Sequence, residues 1–182
     1  MGVLYNNGEG VPKDCIRALM WYRMAFADGS PKAAHNLGRM YEDDCAVHSN
    51  YETALRYYRV AAEKGIAQSQ MAVGDYFYHG DVVHLDYTKA REYYLKAAVQ
   101  GFAPAEERLG YIYAFGLGVR EDHVTAYSWL TIAYANAKPY EKPSIDYHLY
   151  RLLLRTPADQ VAEAQRLAVR CRLTRYRDCT AP

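Results

Sequence analysis

Asp86-Tyr87-Thr88-Lys89-Ala90-Arg91-Glu92-Tyr93-Tyr94-Leu95-Lys96-Ala97-Ala98-Val99-Gln100-Gly101 reads as one complete helix, and its spacing recurs along the chain. Asp86 offers a carboxylate to cap the first turn, Ala90, Tyr94 and Ala97 share one face at helical spacing, and Gly101 supplies a left-handed stop. The stretch carries no reactive group. Its reading therefore bears on architecture.

Shifted by 36 positions, the key residues return without an insertion, which is the signature of an internal repeat. Ala18, Ala54, Ala90 and Ala126 fall in register, as do Ala25, Ala61, Ala97 and Ala133. Upstream in each unit stand Gly2, Gly38, Gly74 and Gly110, then Val11, Val47, Val83 and Val119. Aromatic columns run beside them: Tyr5, Tyr41, Phe77 and Tyr113; Trp21, Tyr57, Tyr93 and Trp129; and Tyr22, Tyr58 and Tyr94, relieved by Leu130 in the last unit. The units are assigned to residues 1–34, 35–70, 71–106 and 107–137, with 138–182 as C-terminal capping helices and tail.

The chain has 182 residues, 51% of them hydrophobic and 24% charged, with a net charge of +1. Twenty-two basic residues against 21 acidic ones leave no surplus for a broad phosphate-binding face, so a nucleic-acid partner is not expected. No run approaches the roughly 18 apolar residues of a spanning helix, and no charged-then-apolar leader opens the chain. Membrane insertion is not expected, and the chain is expected to be a monomer. Most of the 19 tyrosines belong to the columns.

Each unit predicts two antiparallel helices, A and B. In the second, helix A covers about Pro31 to Asp43 and helix B Asn50 to Lys64. Helices shorter than about 12 to 15 residues are marginal in water, so these stand by stacking on their neighbours. The glycine column allows close helix approach. Met1 to Tyr5 aligns with Leu37 to Tyr41, so the first helix A lacks its opening residues, and the expectation is a chain excised from a longer one or started internally. An export signal fits in the missing part. The loops carry Gly8 and Gly10 in the first unit and Gly116 and Gly118 in the last, whereas the second has Asp44 and Ala46 and the third keeps Gly80 alone, so those two loops are expected to differ in backbone.

Leu37-Gly38 with Tyr41, the Gly116-Leu117-Gly118-Val119 loop, Asp122, Ala126 and Trp129, and Tyr94-Leu95-Lys96-Ala97-Ala98 before Gly101 resemble the Sel-like repeat, a relative of the tetratricopeptide repeat. The resemblance covers about Gly2 to Ala137. It implies an all-α, right-handed solenoid of antiparallel helix pairs with a 36-residue period, and an adaptor role in assembly, signalling or secretion.

Beyond Ala137 the pattern stops. Lys138 to Pro143 reads as a breaker-rich link, and Ser144 to Arg155 as a helix with Ile145, Leu149, Leu152 and Leu153 inward. Thr156-Pro157 predicts a cap and first turn for a further helix whose buried stripe is Val161, Ala164, Leu167 and Ala168. This hairpin is expected to close the solenoid. Its last segment is similar to that of exported bacterial members, which favours a periplasmic or secreted setting over a cytoplasmic one. Cys15 and Cys45 lie in different units and outside the positions where cysteine-rich relatives link helix A to helix B, so they are expected as free thiols. Cys171 and Cys179 are eight residues apart, and both a disulfide between them and two reduced thiols fit the sequence.

Asp44-Cys45-Ala46-Val47-His48 offers half of a metal site at most, because zinc wants four ligands. No Ser-His-Asp or His-Cys-Asp set assembles from repeat positions, so no catalytic residue, cofactor or metal is expected. Recognition is expected where the repeats disagree. On helix A the variable face carries Asn36, Arg39 and Asp43, then Ala72, Asp75 and His79, then Arg108, Tyr111 and Phe115. These are the candidate contacts for a protein or peptide partner on the concave side, with Arg39, Arg108 and Tyr111 as the strongest anchors. The alternative, implied by cysteine-rich relatives, is a cell-envelope module that binds or processes peptidoglycan-derived glycopeptides.

Overall fold

A computed structural model describes residues 1–43 and 45–179. Among these residues there are ten α-helices and no strand: α1 (Gly2–Asn7), α2 (Cys15–Ala27), α3 (Pro31–Glu42), α4 (Tyr51–Glu63), α5 (Ala67–His79), α6 (Tyr87–Ala98), α7 (Ala103–Phe115), α8 (His123–Asn136), α9 (Lys142–Leu153) and α10 (Ala158–Leu173). The first eight form four helix pairs. Each odd helix packs on the even helix after it, and each even helix on the next pair, which is the stacking of a solenoid.

The 36-residue period is written into the caps. Asp14, Asn50, Asp86 and Asp122 each accept a hydrogen bond from the backbone N–H three residues on, and so start α2, α4, α6 and α8 with the same device. Removing such a cap typically costs about 1 kcal/mol. Ala18, Ala54, Ala90 and Ala126 are fully buried at the crossing points, as are Ala61, Ala97 and Ala133. Gly101 has φ +74°, as its stop role requires. In the helix-joining loops Gly8, Gly10, Gly80, Gly116 and Gly118 all have positive φ, whereas Ala46 and Val82 do not, so the second and third loops differ from the first and last at that position. Asp44 of that loop lies outside the described residues.

Glycine in the Gly2/Gly38/Gly74/Gly110 column is a matter of space. A Cβ on Gly2, Gly38 or Gly74 would stand 2.6 Å from the Cε1 atom of Tyr22, Tyr58 or Tyr94, and on Gly110 2.7 Å from Cγ of Leu130. Two columns read separately in the sequence are thus one contact, helix A against the ring of helix B. The buried apolar side chains fall into three groups, the smallest being Val124 of α8 with Ala164 and Leu167 of α10. Ala18, Leu19, Tyr22, Leu37 and Met40 form an N-terminal cluster, and the main one runs from α4 onward.

At the C-terminal end α9 and α10 both pack on α8. Two boundaries differ from the sequence reading. Helix α9 begins at Lys142, because Pro143 fits the first turn, where its missing N–H is no loss. Thr156 does not cap α10. Its hydroxyl donates back to the Leu152 carbonyl at 2.8 Å and closes α9, and Pro157 takes the cap position.

The cysteines require a correction. Cys15 and Cys45, expected as free thiols, lie within disulfide distance with Cα atoms 5.7 Å apart. Antiparallel packing explains this. The start of α2 meets the end of α3, so the first residue of one helix B faces the loop of the next repeat, a neighbourhood that comparison within a single unit does not reveal. Cys171 and Cys179 are paired too, with Cα atoms 4.6 Å apart, so the described residues hold no free cysteine.

Candidate functional site

The variable positions of helix A lie along α3, α5 and α7 as direct pairs rather than as one pocket. Arg39 and Asp43 face each other at 3.8 Å, one turn apart and both exposed, a pair worth little by itself. The two border a hollow with Asn6, Asn7 and Lys13, while Asn36 is half-buried. Ala72, Asp75 and His79 border a second hollow with Glu42 and Tyr51. Asp75 reaches the following repeat, where the Arg108 guanidinium approaches its carboxylate to 3.5 Å and lies over the Tyr78 ring. In α7, Tyr111 packs on Phe115 with ring centroids 4.4 Å apart and meets His148 of α9 at 5.9 Å.

Beneath this ridge runs a layer that the sequence reading missed. Tyr58 and Tyr76 both donate to the Glu42 carboxylate, each at 2.6 Å, and Tyr94 donates to Asp75 at 2.7 Å. Burial first, then the acceptor carboxylates, raises all three phenols, which keeps them protonated donors. Tyr58 and Tyr94 of helix B, with Tyr76 of the helix A of the next repeat, thereby hold acidic side chains of helix A in fixed orientations at the surface.

The last repeat breaks this arrangement. Leu130 replaces the tyrosine of the column and ends short of where a phenol would reach. A cavity of about 230 Å³ opens there between α7, α8 and α9. Gly110 and Leu130 line its apolar part, Tyr111 and Phe115 bring ring surface, and Arg151 and Arg155 of α9 bring positive charge. Neither arginine was legible as a site residue, because α9 lies outside the repeat and has no column to be compared with.

A second polar cluster ties the C-terminal tail to the array. Glu106 is fully buried and accepts from Asn136 at 2.8 Å and from the Tyr176 hydroxyl at 3.0 Å, while Tyr176 stacks on Trp129. Burial pushes the Glu106 carboxyl from 4.5 up to about 7, against the opposing pull of Asn136, Tyr176 and Arg172. A carboxyl raised in the folded state adds stability that is complete below its unfolded pKa and is lost as pH rises through the folded one. The stability of the parent should therefore fall between about pH 4.5 and pH 7 by a component absent from Glu106→Gln. Urea midpoints of the two proteins at pH 5 and pH 8 test this, and parallel pH profiles would refute it.

No group of three or more His, Cys, Asp or Glu side chains among the described residues is placed to hold a metal ion. Likewise, no described helix is long and apolar enough to cross a membrane.

Stacked helix pairs in constant register, with small residues at the crossings and variable residues on helix A, define a helical repeat protein of the solenoid class. The chain belongs to the Sel1 repeat family, which matches at residues 1–30, 31–66, 67–102 and 103–137. Members of this family are generally non-catalytic scaffolds for protein–protein contact. Among solved structures, the chain is similar to a Sel1 repeat protein from Oxalobacter formigenes, with 27% identity and a TM-score of 0.78 over 93% of this chain and 69% of that one. It is also similar to c5321, a protective antigen of uropathogenic Escherichia coli strains with an SLR fold. Identity there is 32% and the TM-score 0.73, over 94% of this chain and 38% of that one. No curated protein matches the chain.

Proposed function

We propose that the chain is a non-catalytic scaffold that holds a protein or peptide partner along the helix A ridge, on the concave side of the solenoid. The observation that carries this reading is the cavity opened at Leu130. It offers ring surface and two arginines beside Tyr111 and Phe115, a combination of aromatic and guanidinium groups that concentrates binding energy at interfaces. Arg39, Arg108 and Tyr111 are the anchors, supported by Asn36, Asp43, Asp75, His79 and Phe115. Because Asp75 holds Arg108 and is itself held by Tyr94, the guanidinium is presented in a defined orientation, which lowers the entropy lost on binding. Paired cysteines suit an oxidising compartment, so the partner is sought in the periplasm or outside the cell.

Affinity capture with the parent, Arg108→Ala and Tyr111→Ala tests the ridge. Each substitution should weaken capture of the partner by about tenfold or more, as loss of a hot-spot residue does, with thermal stability unchanged. Identical captured proteins from all three would remove the ridge as the site. Saturable binding of a muropeptide that Tyr111→Ala abolishes would instead assign the ridge to a wall-derived glycopeptide.

A further inference from the structure

Helix B has an outer face formed by three positions spaced four residues apart. In α4 these are Glu52, Arg56 and Val60, and in α6 Thr88, Glu92 and Lys96, all exposed and nearly all polar. In α8 they are Val124, Ser128 and Ile132, and all are buried, because α10 packs along α8 and sets Ala164 and Leu167 against Val124. In α2 they are Ile16, Met20 and Met24, as apolar as the covered set of α8, yet 65%, 60% and 58% exposed. The neighbouring Trp column repeats the contrast. Trp129 is 1% exposed beneath Tyr176, whereas Trp21 at the same register is 40% exposed.

Stacking of repeats does not account for this stripe. Helices α4 and α6 each have a repeat on both sides and still leave these three positions in water, so a further neighbour in the array would not cover Ile16, Met20 and Met24. What does cover the equivalent face is a helix lying along it. Helix α10 meets α8 with Ala164, Leu167, Ala168 and Cys171 buried, the i, i+3, i+4, i+7 stripe of an amphipathic helix. Charge narrows the occupant further. The span Cys15–Ala27 holds Arg17 and Arg23 and no acidic residue. Arg17 is paired with the cap Asp14 at 3.2 Å, and Arg23 donates to the neutral Tyr41 hydroxyl at 3.1 Å, so two α2 helices laid face to face would still oppose arginine to arginine without an acid inside either helix.

We propose that the outer face of α2 is a second docking surface, distinct from the helix A ridge. Its occupant is an amphipathic helix of a partner protein with small and branched apolar residues at i, i+3, i+4 and i+7 and acidic residues on its flanks. Ile16, Met20 and Met24 bury the apolar stripe, Trp21 closes one edge, and Arg17 and Arg23 meet the acidic flank.

The test uses the full chain and a synthetic helical peptide with alternating Ala and Leu on the apolar face and Glu on the flanks. A second peptide carries Lys in place of Glu. The acidic peptide should bind saturably, shift the emission of Trp21 to shorter wavelength, and lose affinity as salt is added. The Lys peptide and the Met20→Glu protein should each bind about tenfold more weakly or worse. Both substituted methionine positions are exposed, so Met20→Glu and Met24→Glu should melt like the parent, and a Met24→Glu protein serves as the check if Met20→Glu does not fold. No saturable binding of the acidic peptide, or binding equal in parent and both variants, overturns the proposal. Self-association of the parent that Met20→Glu abolishes also overturns it, by giving the face to a second copy.

Discussion

Gly74→Val should lower the stability of the chain by roughly 3 kcal/mol, at the upper end of the range for an overpacked core, and Gly74→Ala by roughly 1 to 2 kcal/mol. The Cβ of either residue would stand 2.6 Å from Cε1 of Tyr94, 2.8 Å from its Cδ1 and 3.3 Å from the Ala90 carbonyl oxygen. Tyr94 has little room to yield. It is fully buried and its hydroxyl is held by Asp75. Relief therefore requires α5 and α6 to separate, which disturbs the contacts of α6 with the following repeat. A double-mutant cycle isolates the contact. In a Tyr94→Ala background the ring is gone, and Gly74→Ala should cost far less than it does in the parent. Denaturant midpoints give the four stabilities, and equal costs in the two backgrounds would show that Gly74 is required for another reason. The ring also orients Asp75, so Gly74→Val should disorder the Arg108 contact and weaken ridge binding in step with stability.

The repeat was legible because three small-residue columns and one valine column persist at an unbroken period, and small residues at helix crossings are demanded by geometry rather than by partner. Of the caps only Asp86 was read from the sequence, although Asp14, Asn50 and Asp122 stand in the same column and make the same hydrogen bond. The tyrosine anchors were not legible. Tyr58 reaches an acid 16 residues upstream and Tyr94 one 19 residues upstream, so the acceptor moves by one helical turn between repeats and leaves no column. The Leu130 cavity was visible in the sequence only as a column changing residue, and its arginines come from α9, which the period does not reach. Thr156 misled because a Thr-Pro pair carries the same signal whether its hydroxyl caps the helix that follows or closes the one before. Cys15 and Cys45 misled because the comparison that matters runs from the start of one helix B to the loop of the next repeat.

That last contact carries the second large effect. Removing the Cys15–Cys45 bridge, by reduction or by a Cys15→Ser, Cys45→Ser double substitution, should destabilise the N-terminal end by roughly 3 to 4 kcal/mol, the loop-closure value for a ring of about 30 residues. In a closed globule such a loss would be shared by the whole molecule. Here the first pair has a helix of only six residues, α1, and its buried side chains cluster with α3 apart from the main interior. Neighbour-limited stability in a solenoid then confines the damage. Amide hydrogen exchange should accelerate across α1 and α2 while α5 to α8 keep their protection, and the Cys171–Cys179 bridge, closing a ring of about nine residues, should give a smaller loss of about 2 to 3 kcal/mol at the other end. Uniform acceleration along the chain would mean that the repeats unfold as one unit. Unchanged exchange in α2 would mean that helix packing alone holds the first repeat in place.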